Sequence, residues 1–152
     1  MKTLQNRLFS DLLGKHGISV RSVLEQPSQE TSTIYLVDGC YTRSPVAPNQ
    51  INIATCFDQT EVECAVNHEH LSAGNTQEVQ KLMEEVSGLK RSMEEQYPDV
   101  PFRIIASFQD DGATIRFHKV RPGEEWTNLS NLEGYLKEAV FVITVGPESD
   151  VL

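Results

Sequence analysis

Two adjoining stretches decide the fold: residues 75–98, NTQEVQKLMEEVSGLKRSMEEQYP, and residues 102–121, FRIIASFQDDGATIRFHKVR. In the first, Val79, Leu82, Met83, Val86, Leu89, Met93 and Tyr97 recur at steps of three and four, while Glu84, Glu85, Lys90, Arg91, Glu94 and Glu95 take the other faces. That spacing predicts an amphipathic helix over 76–97. Asn75 is placed to cap it, with Glu78 three residues on, and Pro98 stops it. The second stretch alternates instead. A two-residue turn at Asp111-Gly112 would pair Asp110 with Ala113, setting Phe108 opposite Ile115 and Ala106 opposite Phe117. The other face would then pair Ser107 with Arg116 and Ile105 with His118. A mainly apolar and a mainly polar face fit a hairpin whose apolar side is covered by the helix.

Working outward, Leu4, Leu8, Leu12 and Leu13 with Phe9 predict a short helix over 3–14, bracketed by Gly14 and Gly17. Ile18, Val20 and Val23, then Ile34 and Leu36, read as two strands separated by a polar turn over 26–31, the second ending at Asp38-Gly39. Pro45 and Pro48 make 44–49 a loop. Alternation at Ile51, Ile53 and Thr55, and again at Val62, Cys64 and Val66, predicts a strand pair around Asp58-Gln59. Residues 129–137 hold at most one helical turn, and Ala139–Val145 is a final buried strand before Gly146-Pro147. This order lacks the regular alternation of a parallel α/β fold. It predicts an α+β fold, a mostly antiparallel sheet packed against one long helix with a short N-terminal helix, in a single domain over 1–152.

Charge narrows the partners. The chain has 152 residues, 13 Lys+Arg against 22 Asp+Glu, a formal net charge of -9 and 39% hydrophobic residues. Residues 51–97 hold nine acidic against three basic side chains, and 98–152 nine against five. Phosphate neutralisation needs clustered Lys and Arg, so nucleic acid is excluded as the expected partner and a cationic protein favoured. The start of the chain carries no apolar run of signal-peptide length, and no stretch is long enough to span a bilayer, so a cytoplasmic home without membrane partners is expected. Cys40, Cys56 and Cys64, odd in number and without CxxC spacing, read as reduced thiols. Monomer and dimer are both left open.

Chemistry is sparse. His68-Glu69-His70 follows Cys64, and if the strand continued, Cys64, His68 and His70 would share a face as a possible zinc set. The cluster lies where the strand should be ending, so a solvated loop is the expectation, with no metal and no cofactor. No GxSxG, Gly-rich phosphate loop or calcium loop occurs, which points away from an enzyme, a small hydrolase being the residual possibility. Two acidic features suit a basic protein. Glu84-Glu85 and Glu94-Glu95 lie on the long helix, and the turn after the hairpin presents Glu124, Glu125 and Trp126, the only tryptophan. With Asp110 and Asp111 at the hairpin tip, these are the expected partner-binding residues.

The run Phe102-Arg103-Ile104-Ile105, Asp111-Gly112, Arg116 through Trp126, Asn131-Leu132-Glu133-Gly134-Tyr135 and Glu138-Ala139-Val140 resembles the carboxy-terminal part of bacterial polymorphic-toxin immunity proteins. The resemblance spans residues 102–145 and consists of a hairpin, a tryptophan turn and a closing strand. It implies a cytoplasmic antidote that binds a toxin domain and occludes its active site or substrate groove, and the acidity suits a basic toxin. It carries over no toxin-contacting residue. The chain is also similar to type III secretion chaperones in being small and acidic, with an initial helix, strands, a long helix and a hairpin. Those chaperones generally finish on a helix, whereas this chain is expected to finish on the strand 139–145. That alternative implies dimerisation and retention of an unfolded effector segment.

Overall fold

In the computed structural model, which describes residues 2–26, 32–44, 56, 58–72, 74–110 and 112–147, the chain begins with strand β1 (Lys2–Gln5) and helix α1 (Arg7–His16). The expected helix over 3–14 is therefore displaced, because Asn6 divides the leucine stripe. Its Oδ1 accepts from Phe9 N–H at 3.0 Å, capping α1, and leaves Leu4 on the strand. Gly17, at φ 63°, ends the helix. Helix α2 (Val20–Glu25) comes next, where a strand was expected. Ser19 Oγ caps it by accepting from Ser22 N–H, and Val23 and Leu24 bury into the core. Val20, Val23 and Leu24 also satisfy the helical step of three and four, and a cap decides between the two periods.

Strands β2 (Tyr35–Val37) and β3 (Cys40–Thr42) form a separate hairpin with Val37 opposite Cys40. Its turn is Asp38-Gly39, with φ 51° and 80°, the left-handed pair that a two-residue hairpin favours. The strand expected over 62–66 is helix α3 (Gln59–Val66), capped by Asp58 Oδ1 accepting from Glu61 N–H at 2.8 Å. Expectations for 45–49 and for Ile51, Ile53 and Thr55 fall outside the described residues. Strand β4 (Glu69–Leu71) leads to α4 (Thr76–Gln96), whose Asn75–Glu78 capping box forms as read from the sequence. Strands β5 (Phe102–Gln109) and β6 (Gly112–Lys119), a 3-10 segment over Leu129–Gly134 and strand β7 (Ala139–Val145) follow.

The five-stranded sheet has the order β1-β7-β5-β6-β4, and every neighbouring pair is antiparallel. The fold is α+β. On its first face Val79, Leu82, Val86, Leu89 and Met93 of α4 share one core with Ala106, Phe108, Ile115 and Phe117, as expected. Phe9 of α1 joins them, its ring stacked 5.0 Å from Phe141. The hairpin register differs from the expected one. Gln109 faces Gly112, Phe108 faces Ala113, Ala106 faces Ile115 and Ile104 faces Phe117, so the strands slide by two residues and Gly112 belongs to the ladder. A slide of two preserves every side chain's face, which is why the core assignment survives the error. Gly112 is instead needed by β4. At φ 134°, its place would put a Cβ 2.8 Å from the Leu71 carbonyl oxygen.

Candidate functional site

The second sheet face is divided between apolar and polar halves. Ile105, Val140 and Val142 cluster with Leu132 under the 3-10 segment, and Leu4, Leu129 and Tyr135 pack around them. Toward the start of β5 the face turns polar. Arg103 lies across from His118 on β6 and Thr144 on β7, and Arg116 projects from the same face as His118, two residues along. Burial drives the His118 pKa down, opposed by the hydrogen bond of Nδ1 to the Lys119 carbonyl at 2.7 Å.

Helix α3 closes the edge of β6 where β4 stops. β4 pairs only with Ala113–Ile115, leaving the far half of β6 with open backbone groups. Asn67 Nδ2 donates to the Phe117 carbonyl at 3.4 Å and to the Tyr41 carbonyl at 2.7 Å. Glu63, fully buried, accepts from Lys119 N–H at 2.9 Å and Tyr41 N–H at 2.6 Å. Arg121 completes the arrangement, donating Nη1 to Oε1 at 2.6 Å and Nη2 to Oε2 at 2.9 Å. Burial opposes the Arg121 charge, but the Glu63 hydrogen bonds and charge outweigh it and leave its pKa raised. One carboxylate thus joins α3, β3, β6 and the segment after β6.

That segment turns back at Gly123, with a bridge between Arg121 and Glu124. Glu124 Oε1 then accepts from Thr60 N–H at 3.1 Å, in the open first turn of α3. Glu124 is consequently committed to the fold. Glu125 and Trp126 face outward, Trp126 retaining 40% exposure. The Arg116 guanidinium lies 5.0 Å from the Trp126 ring centroid while its Nη1 donates to the Cys64 carbonyl at 3.1 Å. A guanidinium tied to the backbone therefore holds the indole in place.

The five expected binding residues do not converge. Asp110 sits at the opposite end of the β5–β6 hairpin from Glu124–Trp126, in a groove with Leu8, Leu12, Lys15, Phe108 and Lys137. Asp111 lies outside the described residues. The suggested zinc geometry also dissolves, because Cys64 is on a helix and not on a strand continuing to the histidines. Its thiol is fully buried, and burial pushes its pKa up to about 12. His68 and His70 stack edge to face at 5.0 Å, with His68 Nδ1 bonded to the Ala65 carbonyl. Among the described residues no group of three His, Cys, Asp or Glu side chains is placed to hold a metal ion, and no helix is long and apolar enough to cross a membrane.

The family model described as Uncharacterized protein PM0498 family matches residues 19–150. No curated protein and no solved structure matched the chain. The matched span runs from the cap of α2 through β7 and includes Glu63, Arg103, Arg121 and Trp126. With a match over that span, the chain belongs to the Uncharacterized protein PM0498 family.

Proposed function

We propose that the chain is a non-catalytic protein-binding domain of the immunity kind, which grips a cationic toxin domain through the Glu125–Trp126 bend. The observation that carries this reading is the half-exposed Trp126 held by Arg116 beside an outward carboxylate. An aromatic ring already fixed in the free protein loses little freedom on binding, so it is suited to be an anchor. The net charge of -9 adds long-range attraction for a basic surface. Glu124 contributes by fixing the bend to α3, and Asp110 belongs to a different surface.

Co-expression with the protein encoded beside it tests the proposal. The expected result is a stoichiometric complex and relief of that protein's toxicity, with Trp126→Ala and Glu125→Lys weakening the complex by at least about tenfold while remaining folded. No complex and no protection would contradict the immunity reading. A dimer that retains an unfolded segment of its neighbour would favour the secretion-chaperone alternative.

A further inference from the structure

His118 is buried and His16 is bonded to Thr76, but the other two histidines of the chain meet each other. His68 and His70 lie two residues apart at the start of β4, an edge strand of the sheet, and so share a face. Both are exposed, with ring centres 5.0 Å apart and planes crossing at 79°. Glu69, between them, is paired with Arg43. The same nitrogen is engaged in each ring. His68 Nδ1 lies 2.7 Å from the Ala65 carbonyl oxygen, and His70 Nδ1 lies 3.4 Å from Thr114 Oγ1. A carbonyl only accepts, so the neutral His68 ring carries its proton on Nδ1 and its lone pair on Nε2, and the Thr114 hydroxyl can accept in the same way. Among the described residues neither Nε2 has a hydrogen-bond partner.

We propose that His68 and His70 together bind one late first-row divalent metal ion, zinc(II) being the type, through their Nε2 atoms, with water filling its remaining positions. Histidine ligands characteristically donate the other ring N–H to a carbonyl or similar acceptor, which fixes the tautomer and orients the ring. The spacing fits as well. A zinc–nitrogen bond of about 2.0–2.1 Å places each ring centre roughly 3.2 Å from the ion, so two rings on one ion have centres roughly 4.5–5.2 Å apart between right-angled and tetrahedral geometry. The observed 5.0 Å lies within that span. The χ2 torsion of histidine is broad, so both exposed rings can turn Nε2 toward the shared point. Cys64, buried on α3, takes no part. Arg116, the next cation along that face of β6, is bonded to the Cys64 carbonyl and covered by Trp126, and the net charge of -9 favours a cation. Imidazole nitrogen selects zinc, copper or nickel over magnesium and calcium, which take oxygen.

Zinc(II) chloride is the probe. The full-length, untagged chain is titrated with it, and with magnesium chloride as control, while calorimetry gives the stoichiometry and NMR follows the ring nitrogens of all four histidines. The proposal expects one zinc per chain, with saturable shifts of His68 and His70 Nε2 and none with magnesium. His68→Gln and His70→Gln should each weaken zinc binding by more than the roughly tenfold that loss of a supporting group costs. Both positions are exposed, and an unchanged Tm without zinc checks that each variant is folded. Unmoved Nε2 resonances in the wild-type chain would overturn the proposal whatever the variants do. So would one zinc shared by two chains, an effect of only one of the two substitutions, or binding at full strength in the double variant.

Discussion

Glu63 shows why a buried carboxylate can be an asset at one position. All four of its hydrogen bonds go to groups that would otherwise face a closed sheet edge or a buried guanidinium. Removing it strands Arg121 and two backbone N–H groups, so Glu63→Ala should cost about 3–5 kcal/mol in urea unfolding, while Glu63→Leu combined with Arg121→Met should recover part of that loss. A cost below about 1 kcal/mol for Glu63→Ala would mean the network is solvated. His118 supplies a pH test. Its folded pKa lies below the ordinary 6.5, so the unfolded chain binds the proton first as pH falls. Its contribution to stability is therefore unaffected above that value and turns unfavourable below it. His118→Gln should lose less stability than wild type between pH 7.5 and pH 5.5, read by urea midpoints, and equal losses would contradict the burial argument. Nothing in the sequence marks Glu63, Arg103 or His118 as buried, because their interior positions arise from distant pairings.

Elements were legible where local signals agreed. Helix α4 has a seven-residue apolar stripe, a capping box and a terminal proline, and it forms within one residue of the expected 76–97. Short segments were not, since three apolar residues fit both periods. Asp58 with Glu61, and Ser19 with Ser22, were the cap signals that would have put α3 and α2 on helices. The two Asp-Gly pairs separate in the same way. Asp38-Gly39 is a hairpin turn, whereas Gly112 pairs with Gln109 inside the ladder and serves close contact with Leu71. Gly112→Ala should accordingly destabilise by about 1–3 kcal/mol, from both the positive φ and the backbone contact. Thermal melts unchanged by that substitution would show that β4 yields. Asn6 fastens another junction, accepting from Phe9 N–H and Val140 N–H while donating to the Glu138 and Leu132 carbonyls. Asn6→Ala should cost about 2–4 kcal/mol by chemical denaturation, more than a cap alone, and a loss near 0.5 would confine its role to α1.

At the scale of the whole molecule, one sheet face is spent on the core beneath α4 and the other is divided between an apolar cluster and a polar half. The polar half carries Arg103, Arg116 and His118 within an acidic chain, and the outward Glu125 and Trp126 lie at its border. The sequence exposed the acidity and the lone tryptophan. It could not show that Glu124 would turn inward or that Asp110 would lie a hairpin's length away, because both depend on the path of the chain after β6. The most direct test of the proposed binding role is the affinity of the cognate cationic domain for wild type, Glu125→Lys and Trp126→Ala across a range of ionic strength. The account predicts that wild-type association slows as salt rises, that Glu125→Lys lowers the association rate, and that Trp126→Ala mainly speeds dissociation. Affinity within about twofold of wild type in both folded variants, with no fall as salt rises, would contradict it.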